Sequence, residues 1–133
     1  MEDVSLLQEY NVKVFKKDED TFDIINSILE ENTSEEAFYI VNIGKIYRQV
    51  QLWNELLPDV VPYYAVKCNP NELILKILSS LGVNFDCASK KEIASVVGIT
   101  EDPSRIIFAN PCKMSNQIKY ARANDVDLMT FDS

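Results

Sequence analysis

The sequence predicts an α/β fold built on a parallel sheet, and three observations carry that prediction. From Ala37 onward, short runs rich in aromatic and β-branched residues alternate with stretches whose apolar residues repeat at helical spacing. Asn69-Pro70 and Asn110-Pro111 each follow such a run, offering a capping side chain and a proline suited to a first helical turn. Asp86, Asn110 and Asp132 recur at spacings of 24 and 22 residues, the length that one strand, one turn and one helix consume.

Taken in order, residues 1–36 form a lead-in segment: an expected strand at Val12–Phe15, an amphipathic helix at Thr21–Leu29 and the polar run Glu30–Glu36. Strands then follow at Phe38–Asn42, Val61–Val66, Asn84–Cys87, Ile106–Ala109 and Leu128–Phe131, where the aromatic and β-branched residues concentrate. Helices are expected between them at Ile46–Leu56, Asn71–Leu81, Lys90–Val97 and Ser115–Ala123. In the second, Leu73, Ile74, Ile77, Leu78 and Leu81 fall on one face, as packing over a sheet requires. The third opens on Ser89-Lys90-Lys91-Glu92, a capping box in which Ser89 and Glu92 each satisfy an orphan backbone donor. The two Asn-Pro junctions are expected to pass from strand to helix with almost no loop.

The net charge of −8 is unevenly placed: residues 1–36 hold 11 acidic side chains against 3 lysines, and residues 37–133 balance at 10 of each sign. No basic stripe is available to displace counterions from a phosphate backbone, which argues against nucleic acid and against an anionic membrane surface. The opening Met1-Glu2-Asp3-Val4 lacks a secretion signal, and no apolar run reaches the roughly 20 residues that span a bilayer, so the expected location is cytoplasmic. Cys68, Cys87 and Cys112 are odd in number and widely spaced, and the chain has no histidine. Reduced thiols are expected, with neither a disulfide framework nor a metal site.

In parallel α/β sheets, residues that act on ligands come from the carboxyl ends of strands, a rule that selects Lys67, Asp86, Asn110 and Asp132. Lys67 closes the apolar run Val61–Val66. A desolvated lysine there loses part of its preference for the charged form, and the neutral amine attacks an aldehyde to form a Schiff base. The other reading is a lysine that snorkels at a strand end. Asp86 can pair with Lys67 or with a substrate ammonium group, or simply terminate a turn. For Glu92 the capping box is a sufficient reason, and Lys113, Lys119 and Arg122 read as a solvated helix face.

Five blocks stand in one order: YYAVKCN at 63–69, FDCASKKEI at 85–93, RIIFANPCK at 105–113, QIKYA at 117–121 and MTFDS at 129–133. In these blocks the chain resembles the eukaryotic ornithine decarboxylases, of the fold-type III pyridoxal-phosphate decarboxylase family. The resemblance runs from about Ala37 to Ser133. It implies a (β/α)8 TIM barrel that binds pyridoxal 5'-phosphate, with residues 37–133 as its first part and residues 1–36 as the lead-in. It implies Lys67 as the cofactor-binding lysine, with Asp86 and Glu92 in supporting electrostatic roles near it. The reaction implied is decarboxylation of L-ornithine to putrescine and CO2, the first step of polyamine synthesis, in a homodimer whose active sites lie across the interface.

The family's glycine-rich phosphate loop, its acid facing the pyridine nitrogen, and its later aspartate and cysteine have no counterparts within these residues. The end of the sequence straight after an expected strand suits a partial product. Two further readings accompany the resemblance. Antizyme inhibitors share this pattern but typically lose the aspartate of the FDCAS block, which is present here as Asp86. Residues 115–133 overlap the start of the family's antizyme-binding segment. Arginine and diaminopimelate are alternative substrates. An open partial barrel leaves an unpaired strand edge and uncovered apolar side chains, so the 133-residue chain alone is expected to be marginally stable or to aggregate. A sharp, cooperative thermal transition from a purified monomer contradicts that expectation.

Overall fold

The structure, a computed structural model, describes residues 2–16, 19–31 and 36–132. It divides into two compact units, Met1–Val41 and Asn42–Ser133. The first unit holds two helices, α1 (Glu2–Glu9) and α2 (Thr21–Glu31). Asp20 starts α2 by accepting a 2.7 Å hydrogen bond from the Phe22 amide. The expected strand at Val12–Phe15 does not form: these residues have no regular secondary structure, and Val14 is 87% exposed. Alternating apolar residues make a strand only where a neighbouring strand takes up their backbone groups. Of the polar run Glu30–Glu36, the first two residues belong to α2, and residues 32–35 lie outside the described residues.

In the second unit, α3 (Ile43–Leu56) leads into β1 (Tyr63–Ala65) and a 3-10 turn at Val66–Cys68. There follow α4 (Glu72–Ser80), β2 (Asn84–Cys87), α5 (Lys90–Thr100), a second 3-10 turn at Pro103–Arg105, β3 (Ile106–Phe108), α6 (Ser115–Ala123) and β4 (Leu128–Met129). The four strands form one parallel sheet in the order β1-β2-β3-β4. Right-handed crossovers between strands taken in sequence put every connecting helix on the same face, the arrangement that curls into a barrel. A doubly wound sheet needs a reversal of strand order, which this sheet lacks.

Side chains sort accordingly. Phe85 and Cys87 on β2 and Ile106 and Phe108 on β3 are fully buried beneath Leu75, Ile93, Val96 and Ala121 of the helices. Burying a side chain such as Phe85 contributes about 2–3 kcal/mol. The opposite face carries Ala65, Asn84, Asp86, Ile107 and Leu128, all half-buried or exposed.

Three expectations need correction. Phe38–Asn42 forms no strand and adds no rung to the sheet, and Tyr39 is 97% exposed. Strand propensity is high there, but it cannot supply a ladder. The Asn-Pro junctions do not cap helices directly either. Asn71, not Asn69, is the cap of α4, accepting from the Leu73 and Ile74 amides, while Asn69 accepts from the Asn71 amide in a local turn. Asn110 caps nothing: six residues separate β3 from α6, whose N-cap is Met114. The capping box at Ser89 forms as expected on one side, with Glu92 N–H donating to Ser89 Oγ at 3.3 Å.

The end of α4 is tied to the sheet by Arg105. Gly82, at φ +79°, takes the left-handed conformation that closes the helix. The Arg105 guanidinium then donates to the carbonyls of Ser79 (2.9 Å) and Val83 (2.8 Å), to Ser79 Oγ (3.2 Å) and to Asn84 Oδ1 (3.4 Å). Arg105→Ala removes these four bonds, among them the one to the carbonyl of buried Val83, and is expected to cost about 2 kcal/mol. Urea unfolding of the intact protein measures the loss. Arg105→Lys, which lacks the planar fork, should recover less than half of it.

Candidate functional site

Lys67 does not extend β1 but sits in the 3-10 turn that follows it, between fully buried Val66 and exposed Cys68. Tyr64 braces the turn from below, its hydroxyl donating to the Asn69 carbonyl at 3.2 Å. Burial pushes the Tyr64 phenol up to about 12, and Cys68 adds to the rise. The phenol therefore stays protonated and keeps donating through neutral pH. With Val66 anchored in the core, Lys67 is presented outward and its side chain is exposed. Within the unit Asn42–Ser133 the burial expected of this lysine is not supplied.

Asp86 lies on the next strand, on the helix-free face, as the rung partner of Ala65. Its carboxyl is raised above the ordinary value, chiefly by burial; the Lys67 charge pulls it down and the Glu92 charge pushes it up. Lys67 is thus close enough for its charge to act on Asp86. Glu92, in the first turn of α5, accepts a 2.6 Å hydrogen bond from the Ala88 amide, one residue before the cap. Asn110, just past β3, donates from Nδ2 to the Ala88 carbonyl at 3.3 Å. The fold therefore gathers Lys67, Asp86, Glu92 and Asn110 around the carboxyl ends of β1 to β3. Asp132 is exposed beyond the end of β4.

Lys113 is not part of a solvated face: its ammonium lies 5.1 Å from the centroid of the Phe108 ring and donates to the Thr130 carbonyl. Tyr64 was the residue missed, hidden in the sequence as one of two adjacent tyrosines whose opposite facing only the pleat assigns. Buried Cys87 is pushed up to about 12, first by burial, and stays an inert thiol. An apolar cavity of about 350 Å³ opens between Val50, Trp53, Pro62, Leu78 and Val83, but neither Lys67 nor Asp86 lines it. Among the described residues, no helix is long and apolar enough to cross a membrane.

The described residues thus form an α/β protein of the singly wound, barrel-type class, with an exposed lysine just past β1 and a half-buried carboxylate on β2. The chain belongs to the pyridoxal-dependent decarboxylases, matching their pyridoxal binding domain over residues 43–133. It is 47% identical to the probable ornithine decarboxylase of Dictyostelium discoideum, covering 95% of this chain and 27% of that protein. It is 46% identical to antizyme inhibitor 2 of Xenopus laevis, covering 84% and 24%. Its fold matches the arginine decarboxylase of Paramecium bursaria Chlorella virus with a TM-score of 0.80 and 40% identity, over 84% of this chain and 30% of that one.

The chain thus spans about a quarter of the length of the curated relatives it matches. The sheet is part of a fold-type III TIM barrel, and the family cofactor is pyridoxal 5'-phosphate. The donor set fits it: a solvent-accessible primary amine for its aldehyde, beside carboxylates able to balance positive charge.

Because folding raises the carboxyl of Asp86, the ionised form costs stability above the folded pKa, and that cost vanishes below the ordinary carboxylate value. Asp86→Asn is therefore expected to stabilise the fold near pH 7, with the gain fading as pH falls through the carboxylate range. Urea midpoints measured from pH 3 to 8 check this. The opposite trend means that attraction to Lys67 outweighs burial.

Proposed function

We propose that the chain is the cofactor-holding part of a decarboxylase that converts L-ornithine to putrescine and CO2, with Lys67 as the lysine that binds the cofactor. The observation supporting this most directly is the accessible amine of Lys67 beside the half-buried carboxylate of Asp86 at neighbouring strand ends. When bound, pyridoxal phosphate supplies an aldehyde for an amine and a ring that takes up the electrons released as a carboxylate leaves.

The residues divide the remaining work. Lys67 Nζ, in its neutral form, is the nucleophile that holds the cofactor. Asp86 keeps a positive charge, that of Lys67 or of a substrate ammonium group, at the rim of the site. Ala65, its rung partner, is small and leaves the space beside the carboxylate open. Glu92 holds the turn after β2 through Ala88 and adds a second negative charge on the same side. Identities of 47%, 42% and 43% with proteins named ornithine decarboxylase or probable ornithine decarboxylase support ornithine as the substrate.

A second reading, a non-catalytic antizyme-binding protein, draws on the 46% identity with an antizyme inhibitor. The presence of Asp86 favours the enzyme. Incubation with pyridoxal phosphate, borohydride reduction and peptide mapping is expected to place the phosphopyridoxyl group on Lys67. In the intact protein, Lys67→Ala should lower ornithine decarboxylation by about 100-fold or more. A label on another lysine, or none, defeats the enzymatic reading, and capture of antizyme by the unlabelled protein then supports the second.

A further inference from the structure

We propose that Asn110 is a positioning residue: by fixing the turn after β2 it holds the Asp86 carboxylate in its half-buried place at the carboxyl end of that strand. The inference rests on the reading of Lys67 and Asp86 above and extends it to a residue that acts through the backbone.

Ala88, two residues past Asp86, is the pivot. Its amide is taken by Glu92 Oε2 at 2.6 Å from α5, and its carbonyl by Asn110 Nδ2 at 3.3 Å from the end of β3. One residue earlier the ladder still runs on backbone groups, with the Ala109 amide donating to the Cys87 carbonyl at 2.9 Å. Asn110 therefore ties the turn after β2 to the end of β3 through a side chain, just where the two strands part. Between Asp86 and Ala88 stands Cys87, fully buried and unable to swing. With Cys87 sunk in the core and both polar groups of Ala88 occupied, the backbone carrying Asp86 is held from each side.

The chemistry of position 110 suits this task. The groups acting on Asp86 are Lys67 from the turn after β1 and Glu92 from α5, while β3 presents the uncharged Ile107 and Asn110. An aspartate at 110 would accept rather than donate and would add a third negative charge beside Asp86 and Glu92. An aliphatic residue would leave the Ala88 carbonyl without this donor. Asparagine supplies an amide donor without charge.

The test uses the intact protein labelled with 13C at the aspartate carboxyl carbons, with the Asp86 resonance assigned through Asp86→Asn. In Asn110→Ala the turn relaxes toward solvent, and the Asp86 titration midpoint is expected to fall by about half a pH unit or more. Exchange of the Ala88 amide should quicken by about tenfold. Should the alanine variant not fold, Asn110→Ser, whose hydroxyl is too short to keep the bond, carries the same expectation. A residue with a merely structural role lowers stability and leaves the Asp86 midpoint where it was, and that result overturns the inference. Borohydride capture on Lys67 in the unsubstituted protein separates the two failures. Lost capture defeats the functional reading, whereas an unmoved midpoint with capture intact defeats the positioning role alone.

Discussion

Side chains along a β-strand alternate between faces, so the parallel register joining β1, β2 and β3 decides at once what is core and what is site. With Ala65 paired to Asp86 and Cys87 to Phe108, Phe85 and Cys87 turn toward the helices and Asp86 turns away. A slip of one residue would bury a carboxylate beneath α4 and α5 and expose Phe85. Burying an unpaired charge costs several kcal/mol, and exposing the phenylalanine forfeits its hydrophobic contribution. The strand order adds the second half of the constraint: helices confined to one face leave the other face and the strand ends available for chemistry.

Burial acts on three ionisable groups of this unit in one direction, and its consequence depends on where each points. Cys87 faces the core and becomes an inert thiol. Tyr64 is kept protonated and spends its hydrogen on the turn that presents Lys67. Asp86 stands at the boundary, where partial desolvation meets the opposing charges of Lys67 and Glu92. Of the three, only this last group is acted on by neighbouring charges of both signs.

Much of the fold was legible because periodicity is a local property. Asn84–Cys87 and Ser115–Ala123 have the bounds that their patterns predict, and α4 buries Ile74, Ile77 and Leu78 as its spacing requires. The misreadings share one cause. Phe38–Asn42 and Val12–Phe15 have strand composition but no ladder partner, and pairing is not written into the segment itself. Asn69 and Asn110 look like helix caps, yet capping depends on whether the next turn closes. After Asn69 the chain runs on to Asn71, and after Asn110 it loops for several residues before α6.

The sequence by itself determined the class of fold, the alternation of elements and the candidacy of Lys67, Asp86, Asn110 and Asp132, because these follow from period, capping chemistry and strand-end position, while Glu92 entered through the family resemblance. Tertiary structure alone decided that Phe38–Asn42 stays out of the sheet, that Lys67 is exposed in a turn, and that Asn110 holds Ala88. Hydrogen bonds between residues 22 apart and the solvent exposure of a side chain depend on which elements become neighbours. No local pattern encodes that.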